Sequence, residues 1–327
     1  MNTTYTTRLI GFFFVILFGG CTQKETPEQE RHKTISWNEY HKIPKPSLAY
    51  EEVHKPLEIE NLQMLGQVTS HGVIGKEGQI LRGLRFKNAT NAVEARYNLP
   101  HNLVLAMLIH ETSGMDLLPN GIGDGGFGIC HMQGSAATRF GLKTYKGCTS
   151  LVCDGRNHPR GRGSCVVGGK TQNHAKDLYD LIKKERFVRF RLIEHDDRLH
   201  PILCLDAVGR MLAEGMDRPP TNDYLRSIGP LRRALYRYSG RKEYFEKVAE
   251  NMRLLEDPVF LRNLEQRFNQ MNPNLRINGK KADYKSYISL MNRDLENYGL
   301  REYRKLPKYK PVQSEVILET YRPFVFK

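Results

Sequence analysis

Residues 99–141 read LPHNLVLAMLIHETSGMDLLPNGIGDGGFGICHMQGSAATRFG, and they contain the pattern that decides the fold. Asn98 can cap a helix, and Pro100 suits the first turn of one. The apolar run that follows stops before Gly114, and glycine commonly ends helices. We therefore predict a helix over residues 98–113.

Glu111 continues an apolar face of this predicted helix. At helical spacing that face contains Leu103, Val104, Met107 and Leu108. A second flank is apolar as well, which predicts that the helix is central in the fold. A carboxyl group beside apolar side chains can keep its proton and serve as a general acid. The alternative is that Glu111 lies at the edge of the core as an ionised carboxylate, paired with one of the many arginines of the chain.

The rest of the chain favours further helices. Glycine dominates residues 117–141, which favours tight turns or a small hairpin there. Other helices are predicted over 171–193, 201–214, 230–238 and 243–256. The sequence therefore predicts a mainly α fold with a small Gly-rich β-hairpin. Weak periodicity leaves residues 273–327 without predicted elements.

The length and charge of the chain limit the classes of protein to which it can belong and the partners it can bind. The chain has 327 residues, of which 39% are hydrophobic. A sizeable core can form, and both global disorder and a polytopic membrane protein are excluded. Lysine and arginine number 50 against 36 acidic residues, a net charge of +14. This excess favours an anionic partner, such as nucleic acid, an acidic membrane surface or an acidic polymer.

The N-terminus resembles a bacterial lipoprotein signal. Arg8 precedes an apolar run over residues 9–18, which is too short to span a membrane as a mature helix and is typical of a secretory signal. Gly19 and Gly20 before Cys21 resemble a lipobox, with Phe where that motif usually has Leu. The resemblance implies cleavage after Gly20 and lipidation of Cys21. An ordinary signal peptide is the alternative.

Both interpretations of the N-terminus predict export, which disfavours nucleic acid as the partner. The lipoprotein interpretation places the protein in the bacterial cell envelope, anchored to a membrane through Cys21 and facing the periplasm. The predicted organisation is a signal peptide over 1–20, a polar tether over 21–87, a helical domain over 88–256 and a basic C-terminal extension of unknown role over 257–327.

Export also predicts disulfides, because cysteines outside the cytoplasm tend to pair. After Cys21 there remain Cys130, Cys148, Cys153, Cys165 and Cys204, an odd number that allows at most two disulfides within the chain. The clustering of Cys148, Cys153 and Cys165 predicts a disulfide between two of them. A zinc site formed with His158 is the alternative. Its spacing fits no zinc pattern, so we predict no metal and no cofactor.

Three sequence elements together resemble the catalytic core of soluble lytic transglycosylases and goose-type lysozymes. In that superfamily a hydrophobic helix ends in Glu-Ser, a Gly-rich hairpin carries Gly-Leu-Met-Gln, and a later helix ends in Tyr-Asn-Ala-Gly. The corresponding stretches here are 111–113 (ETS), 128–133 (GICHMQ) and 236–240 (YRYSG). Their order and approximate spacing agree with the superfamily across residues 95–250.

The resemblance implies a lysozyme-like α+β domain over 88–256 that cleaves the glycosidic bond between MurNAc and GlcNAc in peptidoglycan. Glu111 would act first as general acid and then as base. Asp124 falls where goose-type enzymes carry an acidic residue near the attacking water. The residues carried over for positioning the substrate or orienting the acid are Gln133, Met132 and Tyr238.

The chain departs from the family pattern at several positions. His131 is an insertion or a rewritten turn in the Met-Gln element, and Tyr-Ser-Gly replaces Tyr-Asn-Ala-Gly. Ser135 stands where goose-type lysozymes have a second auxiliary acid, and a hydroxyl does not act as a base near neutral pH. A lytic transglycosylase that forms 1,6-anhydro-MurNAc ends is therefore favoured. The alternatives are a hydrolytic, goose-type-like lysozyme and a non-catalytic, peptidoglycan-binding scaffold lipoprotein.

Mass spectrometry of the mature protein extracted from membranes tests the predicted anchor. We expect a diacyl- or triacyl-cysteine at the N-terminus, because the apolar run ends in Gly-Gly-Cys. A Cys21→Ser variant should lack the lipid and leave the membrane fraction. A soluble mature chain that begins at another residue would contradict the prediction.

Overall fold

The computed structural model describes residues 75–114, 126–145, 165–167, 170–172, 195–277 and 279–309. Most of these residues are helical, which confirms the predicted mainly α class with a small antiparallel hairpin. Some predicted features lie outside the described residues, namely Cys21, Asp124, Cys148 and Cys153. No helix within the described ranges is long and apolar enough to cross a membrane.

The elements follow one another along the chain as helices with two short hairpins between them. The helices are α1 (Lys76–Leu84), α2 (Lys87–Tyr97), α3 (Leu103–Thr112), α4 (Gly134–Arg139), α5 (Pro201–Asp217), α6 (Asp223–Ser227), α7 (Pro230–Ser239), α8 (Tyr244–Glu256), α9 (Pro258–Met271), α10 (Tyr284–Leu295) and α11 (Arg301–Tyr303). A π-helical turn over Glu296–Leu300 joins the last two. The antiparallel pairs are β1 (Cys165–Val167) with β2 (Lys170–Gln172), and β3 (Arg276–Ile277) with β4 (Lys280–Lys281).

Helix α3 is the central helix of the fold. It packs against α1, α2, α5 and α8, and every residue from Leu103 to Ile109 is at most 2% exposed. A helix that is apolar on all sides is buried on all sides, so the predicted central position is confirmed. The helix begins at Leu103 rather than at Asn98. Asn98 instead ends α2 in the left-handed conformation (φ 51°) and starts the turn between the two helices.

A carboxylate from the preceding helix caps the N-terminus of α3. Glu94 of α2 is 3% exposed, and its oxygens accept hydrogen bonds from the backbone N–H groups of Asn102 (3.0 Å) and Val104 (2.9 Å). These bonds satisfy N–H groups at the helix N-terminus. A negative charge at this end also interacts favourably with the helix dipole. Burial raises the pKa of Glu94 to about 7.

A second buried carboxylate joins the C-terminal helices to the core. Asp206 of α5 accepts hydrogen bonds from the hydroxyl groups of Tyr97 (2.9 Å) and Tyr303 (2.6 Å). The Arg96 Nε atom lies 3.6 Å from the same carboxylate, and its guanidinium lies over both tyrosine rings. Because Tyr303 belongs to α11, the end of the described chain closes over α2 and α5.

Most of the predicted helices are present at the expected places. Helices α5 and α7 begin at Pro201 and Pro230, and α8 begins at Tyr244 beside the predicted start. Proline at the first helical position loses no hydrogen bond, because the N–H group there has no partner within the helix. The helix predicted over 171–193 is wrong at its start, where β2 occupies Lys170–Gln172, and its remainder lies outside the described residues.

Helices α9 and α10 were both not predicted: α9 directly follows the last predicted helix, and α10 lies in the stretch 273–327, where periodicity is weak. Each one starts at an aspartate cap, since Asp257 accepts from the N–H groups of Val259 and Phe260, and Asp283 accepts from that of Ser286. In α9 the fully buried residues are Leu264 and Phe268. These caps are a local signal that identifies both helix starts.

The pH dependence of stability tests the Glu94 cap. Because burial raises the pKa of Glu94 from 4.5 to about 7, the folded state binds this proton more tightly than the unfolded state. Stability should therefore fall as the pH rises between these values, by up to about 1.4 kcal/mol per pH unit. Glu94→Gln should remove this slope in urea unfolding measured from about pH 4 to pH 8.

The matched control is Glu256→Gln, at an exposed position at the end of α8. It should keep the wild-type slope. If Glu94→Gln also kept that slope, the assigned protonation of Glu94 would be wrong.

Candidate functional site

The last turn of α3 brings Glu111 out of the buried core. Its side chain is 16% exposed. Ser113 (φ 58°) and Gly114 (φ 73°) adopt left-handed conformations that end the helix. The Thr112 hydroxyl donates a hydrogen bond to the carbonyl oxygen of Ile129 (3.0 Å). Glu111 therefore lies where α3 meets a turn formed by residues 127–132, which we call the 127–132 turn.

Among the described residues, two side chains contact the Glu111 carboxyl group, one at each oxygen. The hydroxyl of Tyr244, the first residue of α8, donates a hydrogen bond to Oε1 at 2.5 Å. The Nδ1 atom of His131, in the 127–132 turn, lies 3.3 Å from Oε2. Burial, and after it the charge of Glu111, raises the pKa of Tyr244 well above its usual value. The phenol therefore remains a hydrogen-bond donor.

The backbone of the 127–132 turn presents His131 to Glu111. Phe127 and Met132 exchange two backbone hydrogen bonds of 3.1 and 3.0 Å, and the His131 N–H donates to the carbonyl oxygen of Gly128 (3.0 Å). Gly128 (φ 73°) and His131 (φ 49°) both have positive φ. For a residue with a side chain this conformation is uncommon, although histidine is enriched in it. In the described part of the predicted Gly-rich stretch, residues 126–141, the chain forms this tight turn and then α4.

The buried ion pair between Asp196 and Arg198 supports the 127–132 turn. Arg198 donates to both oxygens of Asp196, through Nε (2.8 Å) and Nη2 (2.6 Å), and through Nη1 to the carbonyl oxygen of Met132 (3.2 Å). Its guanidinium also lies over the ring of Phe127, 5.0 Å from the centroid. A Cβ atom at Gly128 would lie 1.9 Å from the Arg198 carbonyl oxygen, so only glycine fits there.

Tyr238, near the end of α7, fixes the other side of the turn. Its hydroxyl donates to the carbonyl oxygen of Cys130 (2.7 Å), and its ring lies 5.9 Å from that of Tyr244. Burial, followed by the charge of Glu111, raises the pKa of Tyr238 well above its usual value. Tyr238 therefore positions the 127–132 turn, whereas Tyr244 is the tyrosine that contacts Glu111 directly.

The sequence did not predict either contact of Glu111, that with Tyr244 or that with His131. Tyr244 follows the YRYSG stretch by only a few residues, and nothing in its local pattern marks it as a partner of Glu111. His131 was noted only as a departure from the family pattern. The structure shows instead that this departure places an imidazole beside the candidate acid.

The other predicted site residues have different environments. Met132 is buried in the core, while Gln133 is partly exposed at the position before α4. Cys165 lies in β1. In the part of the chain that the structure describes, no group of three His, Cys, Asp or Glu side chains is placed to hold a metal ion.

His110 is a further ring at this site. It lies edge-on to Tyr244, with ring centroids 5.1 Å apart. Burial lowers the pKa of His110, an effect that outweighs the opposite influence of Glu111. A neutral imidazole therefore packs against the phenol that binds Glu111.

The arrangement is suited to proton transfer through one oxygen of Glu111. Because Oε1 accepts the hydrogen bond from Tyr244, Oε2, the oxygen near His131, is the atom through which Glu111 can exchange a proton with a ligand. A carboxyl group held by partners from two other elements can deliver its proton without reorienting.

No protein-family model, curated protein or solved structure matches this chain. A partly exposed carboxyl group at the end of a buried helix, with a phenol donor and an imidazole, suits general acid–base chemistry.

Asp196→Ala tests the support of the 127–132 turn. It leaves the buried Arg198 without its carboxylate, which should lower the free energy of unfolding by about 3–5 kcal/mol, measured by urea unfolding. The control is Asp223→Ala, which breaks an exposed pair with Arg226 and should change stability little. Equal losses in the two variants would disprove the supporting role.

Proposed function

We propose that this protein is a glycan-cleaving enzyme in which Glu111 is the general acid and base. One observation carries the proposal. The three sequence elements that resemble the lytic transglycosylase and goose-type lysozyme superfamily lie together in space. Glu111 contacts His131 of the second element, and Tyr238 of the third element binds the backbone of the second.

More specifically, we propose a peptidoglycan lytic transglycosylase. The first step is donation of the Glu111 Oε2 proton to the glycosidic oxygen between MurNAc and GlcNAc. The bond from C1 of MurNAc to that oxygen breaks, GlcNAc leaves with a hydroxyl group, and positive charge develops on the MurNAc ring. Tyr244 stabilises the resulting carboxylate, because a phenol bonded to an ionised oxygen makes a strong hydrogen bond.

In the second step the Glu111 carboxylate acts as a base. It removes the proton from the C6 hydroxyl of the same MurNAc, and O6 bonds to C1 to close a 1,6-anhydro ring. Glu111 is protonated again and no water is consumed. This route needs only one carboxyl group, which agrees with Ser135 at the position of the second auxiliary acid of goose-type lysozymes.

A hydrolytic lysozyme is the second candidate, and His131 is the observation that favours it. An imidazole in its neutral form is a base that can activate water near neutral pH, and that of His131 lies 3.3 Å from the Glu111 carboxyl group. In that case the product would have a reducing end instead of an anhydro ring.

The cellular setting belongs to the same proposal. The net charge of +14 matches an acidic polymer such as peptidoglycan. A lipid on Cys21 would hold the enzyme at a membrane of the bacterial envelope, with the site facing the periplasm. Nucleic acid is not the proposed partner, because an exported protein rarely meets it.

Purified protein incubated with cell-wall sacculi tests the proposal. Glu111→Gln should reduce the release of soluble muropeptides by at least about 100-fold, because an amide cannot donate the proton. Its midpoint of thermal unfolding should stay close to that of the wild type. The control Glu243→Gln changes an exposed residue beside Tyr244 and should retain full activity.

The mass of the products separates the candidates. Anhydro products are lighter than hydrolytic products by one water, and we expect the anhydro form. Reducing-end products that disappear in His131→Gln would establish the lysozyme. Wild-type protein that binds sacculi and releases nothing would establish the scaffold lipoprotein.

A further inference from the structure

Two buried cysteines meet beneath the candidate site. Cys130 in the 127–132 turn is 3% exposed, and Cys204 in the first turn of α5 is fully buried. Both are free thiols in this structure, and their side chains are in hydrogen-bond contact. They come from different elements, so their contact is a long-range feature of the fold.

The surrounding packing fixes both cysteines at this contact. A Cβ atom at Gly128 would lie 3.6 Å from the Cys204 sulfur, so the backbone of the turn rests on that residue. On the side of the turn, Tyr238 binds the Cys130 carbonyl oxygen and Arg198 binds that of Met132. A disulfide requires the sulfurs to approach to about 2 Å, and the packing of the turn on Cys204 already brings the two side chains together.

We propose that Cys130 and Cys204 form a disulfide in the exported protein, and that this bond fastens the 127–132 turn to the start of α5. The inference rests on the proposed export but does not depend on the proposed glycan cleavage. It also agrees with the odd number of cysteines after Cys21. A second disulfide among Cys148, Cys153 and Cys165 would leave one of the five thiols free.

The chemistry is thiol–disulfide exchange with an oxidant that is itself a disulfide, either a protein or a small molecule. One cysteine thiolate attacks the oxidant, a mixed disulfide forms, and one thiolate of the oxidant leaves. The second cysteine then attacks the sulfur of the first and releases the other thiolate. The two cysteines lose two electrons and two protons, and the disulfide of the oxidant takes them up as it becomes two thiols.

The bond must form while the chain folds. Both thiols are buried once the core has closed, and burial raises the pKa of Cys130 well above its usual value. The folded, reduced protein therefore offers no thiolate to an oxidant in solution. A chain that folds in an oxidising compartment exposes both cysteines beforehand.

The disulfide would restrict the turn that carries His131. Cys130 is adjacent to His131, and its carbonyl group receives the Tyr238 hydroxyl. In the reduced protein the turn is held through noncovalent contacts, chiefly those with Arg198 and Tyr238. In the oxidised protein a covalent bond to α5 is added.

Peptide mapping of the full chain tests the proposal directly. The protein is refolded from denaturant with oxidised glutathione, its free thiols are alkylated under denaturing conditions without reductant, and the digest is analysed by mass spectrometry. We expect a peptide pair joined through Cys130 and Cys204, lighter by two hydrogens than the sum of the reduced peptides. Full alkylation of both residues, or their pairing with other cysteines, would overturn the proposal.

A second measurement uses a variant that combines Cys148→Ser, Cys153→Ser and Cys165→Ser. In this background a reductant added before refolding should lower the midpoint of thermal unfolding by several degrees, because the cross-link no longer restricts the unfolded chain. Adding Cys204→Ala should abolish the response to reductant. A response that persists without Cys204, or none in its presence, would count against the bond.

Discussion

An apolar helix can be buried only if the polar backbone groups at its ends have hydrogen-bond partners. In this protein Glu94 supplies those partners at the N-terminus of α3. Its carboxyl group binds the N–H groups of Asn102 and Val104 at the start of α3, where water is excluded and an unbonded donor is costly. With this end satisfied, α3 can be enclosed by four other helices. Its opposite end then becomes the place where a carboxyl group, that of Glu111, leaves the core.

The candidate site is assembled from parts that are far apart in the sequence. Glu111 and Tyr244 are separated by 133 positions, and the 127–132 turn is supported by Arg198, 66 positions from Met132. The geometry at Glu111 therefore depends on contacts remote from its carboxyl group, such as the Asp196–Arg198 pair. A substitution in that pair would change the position of His131 without altering any residue at the acid itself.

The parts of the structure that sequence could predict are those with local signals. The apolar run before Glu111 identified the central helix, and Pro201 and Pro230 identified the starts of α5 and α7. The predicted start of α3 at Asn98 is wrong, because this asparagine ends α2 and does not cap α3. Tyr244 could not be found, since its role exists only through the packing of α8 on α3. The C-terminal helices were missed although Asp257 and Asp283 mark their starts.

The cluster around Asp206 has a consequence for how the protein is made. Its two tyrosine partners lie 109 positions earlier and 97 positions later in the chain. This part of the core cannot close before Tyr303 has been synthesised, and pairings of such long range form slowly. In a nascent chain, Asp206 and Tyr97 therefore wait for a partner that emerges 97 positions after Asp206, and α2 and α5 complete their packing only then.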